Sequence, residues 1–484
     1  MKSKLYAGLA RTTVAIAALV SMHGAGADPA PATTHPVPSI QDTETPAARD
    51  VRMKWFREAR FGMFIHWGLY AIPAGSWKGE KITDNGAEWI MNQAEIPVAD
   101  YKALAKQFNP TKFSARDMVG LAKEAGAKYI VFTAKHHEGF AMYDSKVDPF
   151  NIVAATPFKR DVLKELTEEA KRQDIKFGLY YSQVQDWTAP GGNEWPAIGN
   201  RPMRRRSSRW DPAQEGSFAD YLHHKAIPQL KELLTQYGSY PDYLFFDTPA
   251  KEMTPELAGE FVKILNTHPK LIWDNRLGGG YPGDTETPEE HIPNQGFPGR
   301  DWEACMTMND TWGYRAYAHN YKSSKELIRN LIDIASKGGN FLLNIGPKAD
   351  GSIPREQVER MRAIGQWLKI NGESIYATQA TLFGDEAGAY DSKQLDEHGK
   401  PKFIPGEKWR STTAANKVYI HLFQWPGKSF KLNHMKRQVT GAYLLADKDR
   451  KPLKLMQSGE TVEVSLPARA LDPVATVLVL TTQP

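Results

Sequence analysis

Apolar residues follow two periods along this chain. Between residue 51 and residue 382, short runs of apolar, β-branched and aromatic residues alternate with longer stretches whose apolar positions recur every three or four residues. The first pattern is that of a buried strand and the second that of an amphipathic helix. Strands are predicted at 61–67 (FGMFIHW), 129–137 (YIVFTAKHH), 176–182 (KFGLYYS), 243–248 (YLFFDT), 271–276 (LIWDNR) and 338–346 (GGNFLLNIG). Helices are predicted between them, in SARDMVGLAKEAGA, DVLKELTEEAKRQ, FADYLHHKAIPQLKELLTQYG, TPELAGEFVKILN, SKELIRNLIDIAS and PREQVERMRAIGQWLKING. Several open on Ser, Thr or Asp, whose side chains accept from the free N–H groups of a first helical turn. About six to eight strand–helix units of this kind point to an α/β fold, a (β/α)8-type TIM barrel, rather than an open doubly wound sheet. No G-x-G-x-x-G or Walker loop follows any strand, which counts against a nucleotide-binding fold.

The pattern changes at both ends of this region. From residue 383 to 484 it becomes short alternating strands (KVYIHLFQW, TGAYLLAD, TVEVSLP, VATVLVLTT) between turn-forming residues, predicting a small C-terminal antiparallel β-sandwich. Residues 28–50 are rich in Pro, Thr and Ala, with almost no large apolar residue, and read as a linker. At the start, Lys2, Lys4 and Arg11 precede the apolar run TVAIAALV, and Ala25-Gly26-Ala27 follows with the small-x-small form of a cleavage site. Residues 1–27 therefore read as a signal peptide cut near Ala27, which predicts a periplasmic or secreted protein. No run is long enough to span a membrane.

Composition narrows the function by exclusion. The 61 Lys and Arg residues are interspersed with 56 Asp and Glu, leaving a net charge of only +5, so nothing argues for a nucleic-acid partner. The one dense basic patch, Arg204 to Arg209, reads as a solvated loop within a long connection, 182–218, that carries three Trp residues. Rings in such a loop are suited to stacking on the apolar face of a sugar. The single cysteine, Cys305, has no partner for an intrachain disulfide and reads as a small buried apolar residue.

The candidate chemistry lies at the strand ends. In a (β/α)8 barrel the site forms at the C-terminal ends of the strands. Here those ends carry His66, His136-His137, Tyr180-Tyr181, Asp247 and Asp274-Asn275-Arg276 in turn. Two chemistries use such a ring. A metal hydrolase needs several His and Asp ligands on one face. A regular strand sends adjacent side chains such as His136 and His137 to opposite faces, and no H-x-H is present, which argues against it. A glycoside hydrolase needs one carboxylate to attack the sugar carbon and a second carboxyl group to protonate the leaving oxygen.

The motifs FGMFIHWGLY, YIVFTAKHHEGFAMYDS, FGLYYS, YLFFDT, WDNRLGGGYPGDTETPE, WEACMTMNDTWGY, GGNFLLNIGPKADGSIP and WLKINGESIYAT, in this order over residues 51–380, resemble the α-L-fucosidases of glycoside hydrolase family 29. The resemblance implies a barrel with a C-terminal sandwich and a retaining mechanism, with no metal or other cofactor. The implied partner is a fucosylated glycan. It implies Asp247 as nucleophile, and His66, Glu88, His136 and His137 as residues that hold the sugar hydroxyls. It places Tyr181, chosen from the Tyr pair, and Arg276 around the nucleophile and the ring, and Phe64 and Trp312 near the C6 methyl group. The family often has Trp two residues before the nucleophile, where this chain has Phe245. The acid/base lies in a variable loop; the TPE register favours Glu289, with Glu286, Glu290 and Glu303 as rivals. ETPEE and CMTMNDTWGY resemble the α-1,3/1,4-selective branch. A metal-dependent barrel hydrolase and a sugar-binding protein without catalysis on the same fold are the remaining alternatives.

Overall fold

The computed structural model describes residues 35–83, 86–193, 209–395 and 401–483. The predicted signal peptide and residues 204–208 of the basic patch lie outside these.

Eight short parallel strands build the barrel: β1 (Phe61–Ile65), β2 (Tyr129–Lys135), β3 (Lys176–Tyr181), β4 (Tyr243–Phe246), β5 (Ile272–Trp273), β6 (Thr285–Glu286), β7 (Asp301–Met306) and β8 (Asn340–Ile345). Hydrogen bonding runs in the order β5-β4-β3-β2-β1-β8-β7-β6. A bridge between Asp274 and Thr285, with Asn275 N–H donating to the Thr285 carbonyl at 3.0 Å, nearly closes the ring. The helices predicted from the 3.6-residue period are present. Helix Val162–Gln173, for example, is capped by the Asp161 carboxylate and buries Val162, Leu163, Leu166 and Ala170 on one face.

Strands β6 and β7 escape the sequence pattern, because DWEACM carries two acids and β6 is only two residues long. No helix follows β5 or β6. This side of the barrel is held instead from the N-terminus. Helix Pro46–Ala59 carries Arg49, Arg52 and Arg57, which clasp the two acids that open the strands. Arg49 and Arg52 donate to Asp284 at 3.0 and 2.7 Å, while Arg49 and Arg57 donate to Asp301 at 2.9 and 2.7 Å. Residues 35–50 are thus no linker over their described length. They lack large apolar side chains, yet helix Ile40–Thr43 and the first turn of the next helix are anchored by ion pairs and by His35 stacked on Tyr281.

Met53 and Phe56 of the same helix pack beneath the barrel interior against Tyr129 and Tyr243. Gly62 leaves room there: a Cβ on it would lie 2.4 Å from the Tyr129 ring. The C-terminal part forms a four-stranded antiparallel sheet (Trp409–Ala414, Lys417–Leu422, Thr476–Thr482, Val439–Leu444) and a three-stranded one (Ser429–Leu432, Thr461–Ser465, Leu455–Ser458). Val418, Ile420, Leu432, Val462 and Leu480 fill the space between the sheets. Alternate residues Tyr419, Val477 and Val479 join the barrel's hydrophobic core.

Candidate active site

Strand alternation decides which side chains reach the barrel lumen. On β4, Tyr243 and Phe245 point inward, and Asp247 follows at the strand end. The parallel register sets Tyr180 of β3 beside Phe245, so Tyr180 also points inward. Its hydroxyl donates to Asp247 Oδ2 at 2.6 Å. Tyr181, expected at the site, turns instead to the helical layer, where its hydroxyl reaches the Ala226 carbonyl and Gln229. The geometry therefore corrects the choice within the pair to Tyr180.

The opposite-face argument for His136 and His137 also fails. The β2–β3 register slips between Thr133 and Lys135, and the chain turns immediately, with Gly139 N–H bonding to the His136 carbonyl. Beyond that slip the two-residue period no longer holds, and both imidazoles enter the cavity with ring centroids 4.2 Å apart. Gly139 makes the turn at φ 77°, and a Cβ there would lie 2.0 Å from Asp186 Oδ1. Glu138 points elsewhere. It accepts from the Leu69 and Tyr70 N–H groups and from Tyr101, tying down the loop after β1, and burial pushes its pKa up to about 8.

A cavity of about 80 Å³ results, lined by Phe64, His66, Glu88, Trp89, His136, His137, Tyr180, Phe245, Asp247, Thr248, Arg276, Glu289, Cys305 and Trp312. A larger groove of about 820 Å³ lies among the outer helices, away from these groups. In the cavity Asp247 is surrounded by donors. Arg276 Nη1 donates to Oδ1 at 2.8 Å, as does the Thr248 N–H at 2.7 Å, and Tyr180 occupies Oδ2. Burial works to raise the Asp247 pKa, but the Arg276 charge and the hydrogen bonds from Tyr180 and Arg276 outweigh it and hold the group below its usual range. Arg276 itself lies over the Phe245 ring at 5.2 Å. Phenylalanine in place of the family's frequent Trp thus gives the guanidinium an aromatic face to rest on.

The histidines are neutral and their tautomers are set by their neighbours. Burial lowers the pKa of His66 to about 3 and that of His137 to about 4. Asn344 donates through Nδ2 to the Trp312 carbonyl, so its Oδ1 accepts from His66 Nδ1–H at 2.8 Å. Ser182 donates to the Gln185 carbonyl at 2.8 Å and therefore accepts from His137 Nδ1–H at 2.7 Å. The Nε2 lone pair of His137 then faces Asp247 Oδ2 at 3.5 Å. His136 stacks on Tyr180 at 5.2 Å, with its Nδ1 unbonded. One ring nitrogen of His136, one of His137 and an Asp247 oxygen lie within 4.8 Å of one another, a set that could hold a cation.

The four loop acids separate cleanly. Pro288 and Glu290 pair through backbone hydrogen bonds with Cys305 of β7, which brings Glu289 to the cavity mouth with its side chain 41% exposed. Arg276 Nη1 donates to its Oε2 at 3.0 Å. Glu286 is engaged by Asn275 and Arg300, and Glu290 by Lys322 and the Thr307 N–H. Glu303 faces the barrel floor, fully buried, accepting from the Tyr129 and Tyr243 hydroxyls. Glu88 sits in a short 3-10 turn and accepts from Gly313 N–H at 2.8 Å; burial raises its pKa to about 7. Phe64 and Trp312 form an apolar wall, with ring centroids 5.9 Å apart. Trp89, Thr248 and Cys305 are lining residues that sequence reasoning did not select; Trp89 adjoins Glu88 in the same AEW motif.

Comparison with known proteins agrees with this geometry. The family described as alpha-L-fucosidase matches residues 32–373. The human plasma alpha-L-fucosidase is 34% identical over 345 residues, 67% of this chain and 69% of that protein. Among solved structures, alpha-L-fucosidase isoenzyme 1 from Paenibacillus thiaminolyticus superposes with a TM-score of 0.74 at 34% identity, covering 90% of this chain and 100% of that one. A GH29 alpha-L-fucosidase from Bacteroides thetaiotaomicron, trapped as a covalent intermediate with 2-fluoro-fucosyl fluoride, gives 0.75 at 28% identity over 90% and 97% of the two chains. With the match spanning most of the barrel, and a carboxylate-centred cavity at its strand ends, the chain belongs to the α-L-fucosidases of glycoside hydrolase family 29.

Proposed function

We propose that this enzyme releases a terminal L-fucose from fucosylated glycans by double displacement, with Asp247 as nucleophile and Glu289 as acid/base. One observation carries the assignment: a single nitrogen, Arg276 Nη1, bonds both carboxylates, at 2.8 and 3.0 Å. The two facing oxygens are therefore under about 6 Å apart, which favours retention over the about 6.5–9.5 Å of inverting enzymes. In the first step ionised Asp247 attacks the anomeric carbon while Glu289 passes a proton to the leaving oxygen. In the second, Glu289 takes a proton from water as the water displaces Asp247. The covalent intermediate trapped in the Bacteroides relative supports the same course.

The remaining residues hold the sugar. His66 Nε2 and His137 Nε2 present lone pairs to hydroxyl protons, Glu88 offers a carboxyl oxygen, and Phe64 with Trp312 suits a methyl group. The cavity sits at one end of the barrel with Glu289 at its mouth, an arrangement that suits cleavage at the end of a glycan chain. The resemblance of ETPEE and CMTMNDTWGY supports α-1,3/1,4 linkages. The N-terminal pattern supports export with cleavage near Ala27, and no helix among the described residues is long and apolar enough to cross a membrane.

Hydrolysis of an aryl α-L-fucoside, with the α-anomer as the first product by NMR, tests the reaction. A 2-fluorofucosyl fluoride should label the peptide bearing Asp247; a label elsewhere overturns the assignment. Faster release from α-1,3/1,4 than from α-1,2 trisaccharides tests the linkage.

A further inference from the structure

We propose that His136, His137 and Asp247 form a site for a divalent first-row transition cation, zinc being the natural candidate, whose occupancy excludes the sugar. The proposal does not make the metal part of catalysis. It adds a second ligand class to the cavity, and it rests on the fucosidase reading only for the identity of the competitor.

One pair of the three ligand atoms already stands at a zinc-like separation, with the third close by. Zinc lies about 2.0–2.2 Å from imidazole nitrogen and carboxylate oxygen, so two tetrahedral ligand atoms stand about 3.4 Å apart. His137 Nε2 and Asp247 Oδ2 are 3.5 Å apart, and one nitrogen of His136 completes a set within 4.8 Å. Three protein ligands with a fourth position open to the cavity are the usual arrangement for exchangeable zinc.

The hydrogen bonds behind the ligands favour the same conclusion. The Gln185 carbonyl holds the Ser182 hydroxyl proton, Ser182 holds His137 Nδ1–H, and His137 Nε2 is left bare towards Asp247. Metal-binding imidazoles commonly donate their other N–H in this way, which fixes the ring and its tautomer. Two lone pairs thus face each other across 3.5 Å with no proton between them. Either a sugar hydroxyl or a cation can bridge that gap. His136 Nδ1 is likewise buried without a hydrogen bond.

Charge opposes an added dication less than Arg276 alone would suggest. The guanidinium already bonds two carboxylates, Asp247 and Glu289, and the carboxyl of Glu88 lines the same cavity. That excess of carboxyl groups also suits the positively charged transition state of glycoside cleavage. The chemistry that stabilises this transition state therefore leaves the empty cavity attractive to cations.

The test uses untagged full-length protein and cobalt(II) as a visible probe for zinc. Titration should give a visible d–d absorption that saturates at one cobalt per chain, is bleached by zinc, and is displaced by L-fucose. Zinc should raise the apparent KM of an aryl fucoside without lowering kcat, reversibly with EDTA. Asp247→Asn preserves the shape of the side chain and should weaken cobalt binding at least tenfold, read by absorption rather than activity. Ser182→Ala should weaken it less, and Ser182→Thr should restore it. The proposal is overturned by an absent band, by a band that L-fucose does not displace, by unchanged cobalt affinity in Asp247→Asn, or by zinc inhibition that lowers kcat alone. An enzyme active on aryl fucosides that shows no cobalt band would leave the fucosidase reading standing and this one refuted.

Discussion

Two carboxylates inside the same barrel, Asp247 at its upper end and Glu303 at its floor, receive nearly the same company and behave oppositely. Each is buried, and each accepts short hydrogen bonds from tyrosine hydroxyls: Tyr180 for Asp247, Tyr129 and Tyr243 for Glu303. The difference is a cation in contact. Arg276 bonds Asp247 directly and helps hold it ionised, whereas for Glu303 burial prevails over the two phenols and lifts the pKa to about 7. Phenolic donors make a buried acid tolerable; an adjacent guanidinium keeps it ionised, as the proposed nucleophile must be.

The same chemical change at both positions gives the sharpest contrast. Asp247→Asn should reduce kcat/KM roughly 10⁴-fold or more while leaving the melting temperature nearly unchanged. Comparable loss in Glu303→Gln, or retained turnover in Asp247→Asn, would break the comparison. Next in size is Glu289→Ala, the acid at the cavity mouth. It should cost about 10²–10⁴-fold on oligosaccharides, which leave only with a proton, and far less on aryl fucosides. Added azide should restore turnover and give the β-fucosyl azide, whereas Glu303→Ala should show no such rescue.

Arg276→Met tests the cation itself. We expect a loss of about 10²–10³-fold. Because Arg276 depresses the Asp247 pKa, its removal should also move the acidic limb of the kcat/KM profile to higher pH. An unmoved limb would mean that the hydrogen bonds alone keep Asp247 charged.

The smallest effect concerns stability at the floor. Glu303 has a folded pKa of about 7 against an ordinary value of 4.5, so the folded protein binds this proton more tightly than the unfolded chain does. Its contribution is complete below the ordinary value and falls as pH rises through about 7. Wild type should therefore lose stability relative to Glu303→Gln between about pH 5 and pH 8, by roughly 2–3 kcal/mol in denaturant melts. A constant difference across that range would assign Glu303 an ordinary pKa.

Much of this arrangement was legible in the chain. The repeated appearance of His66, His136, Asp247 and Arg276 at the ends of apolar runs points to the cavity that all four line. Misreadings arose where local regularity breaks. His136 and His137 lie just beyond a register slip that no periodicity reveals. The Tyr180 choice was recoverable, since Phe245 lies two residues before Asp247 and pairs with Tyr180, but it needed the β3–β4 register. DWEACM hides a strand because its inward residue is Glu303, an acid stabilised by tyrosines from β2 and β4 that lie 174 and 60 residues away. Residues 35–50 resembled a linker because ion pairs leave no hydrophobic period.

The arginine clasp has a consequence for how the barrel assembles. Arg52 and Asp284 are 232 residues apart and Arg49 and Asp301 are 252 apart, so these contacts close some of the longest loops in the chain. Loop-closure entropy makes such contacts late events, and the local helix–strand pairs from β1 to β5 can form well before them. Until β8 and the clasped strands β7 and β6 are added, β5 and β1 present unpaired edges, and open strand edges recruit other chains. Helix Pro46–Ala59 is made before any barrel strand, yet it secures β6 and β7, the side of the barrel without crossover helices. Substituting its arginines should therefore lower the yield of correctly closed enzyme, a quantity that the turnover of the purified protein would never reveal.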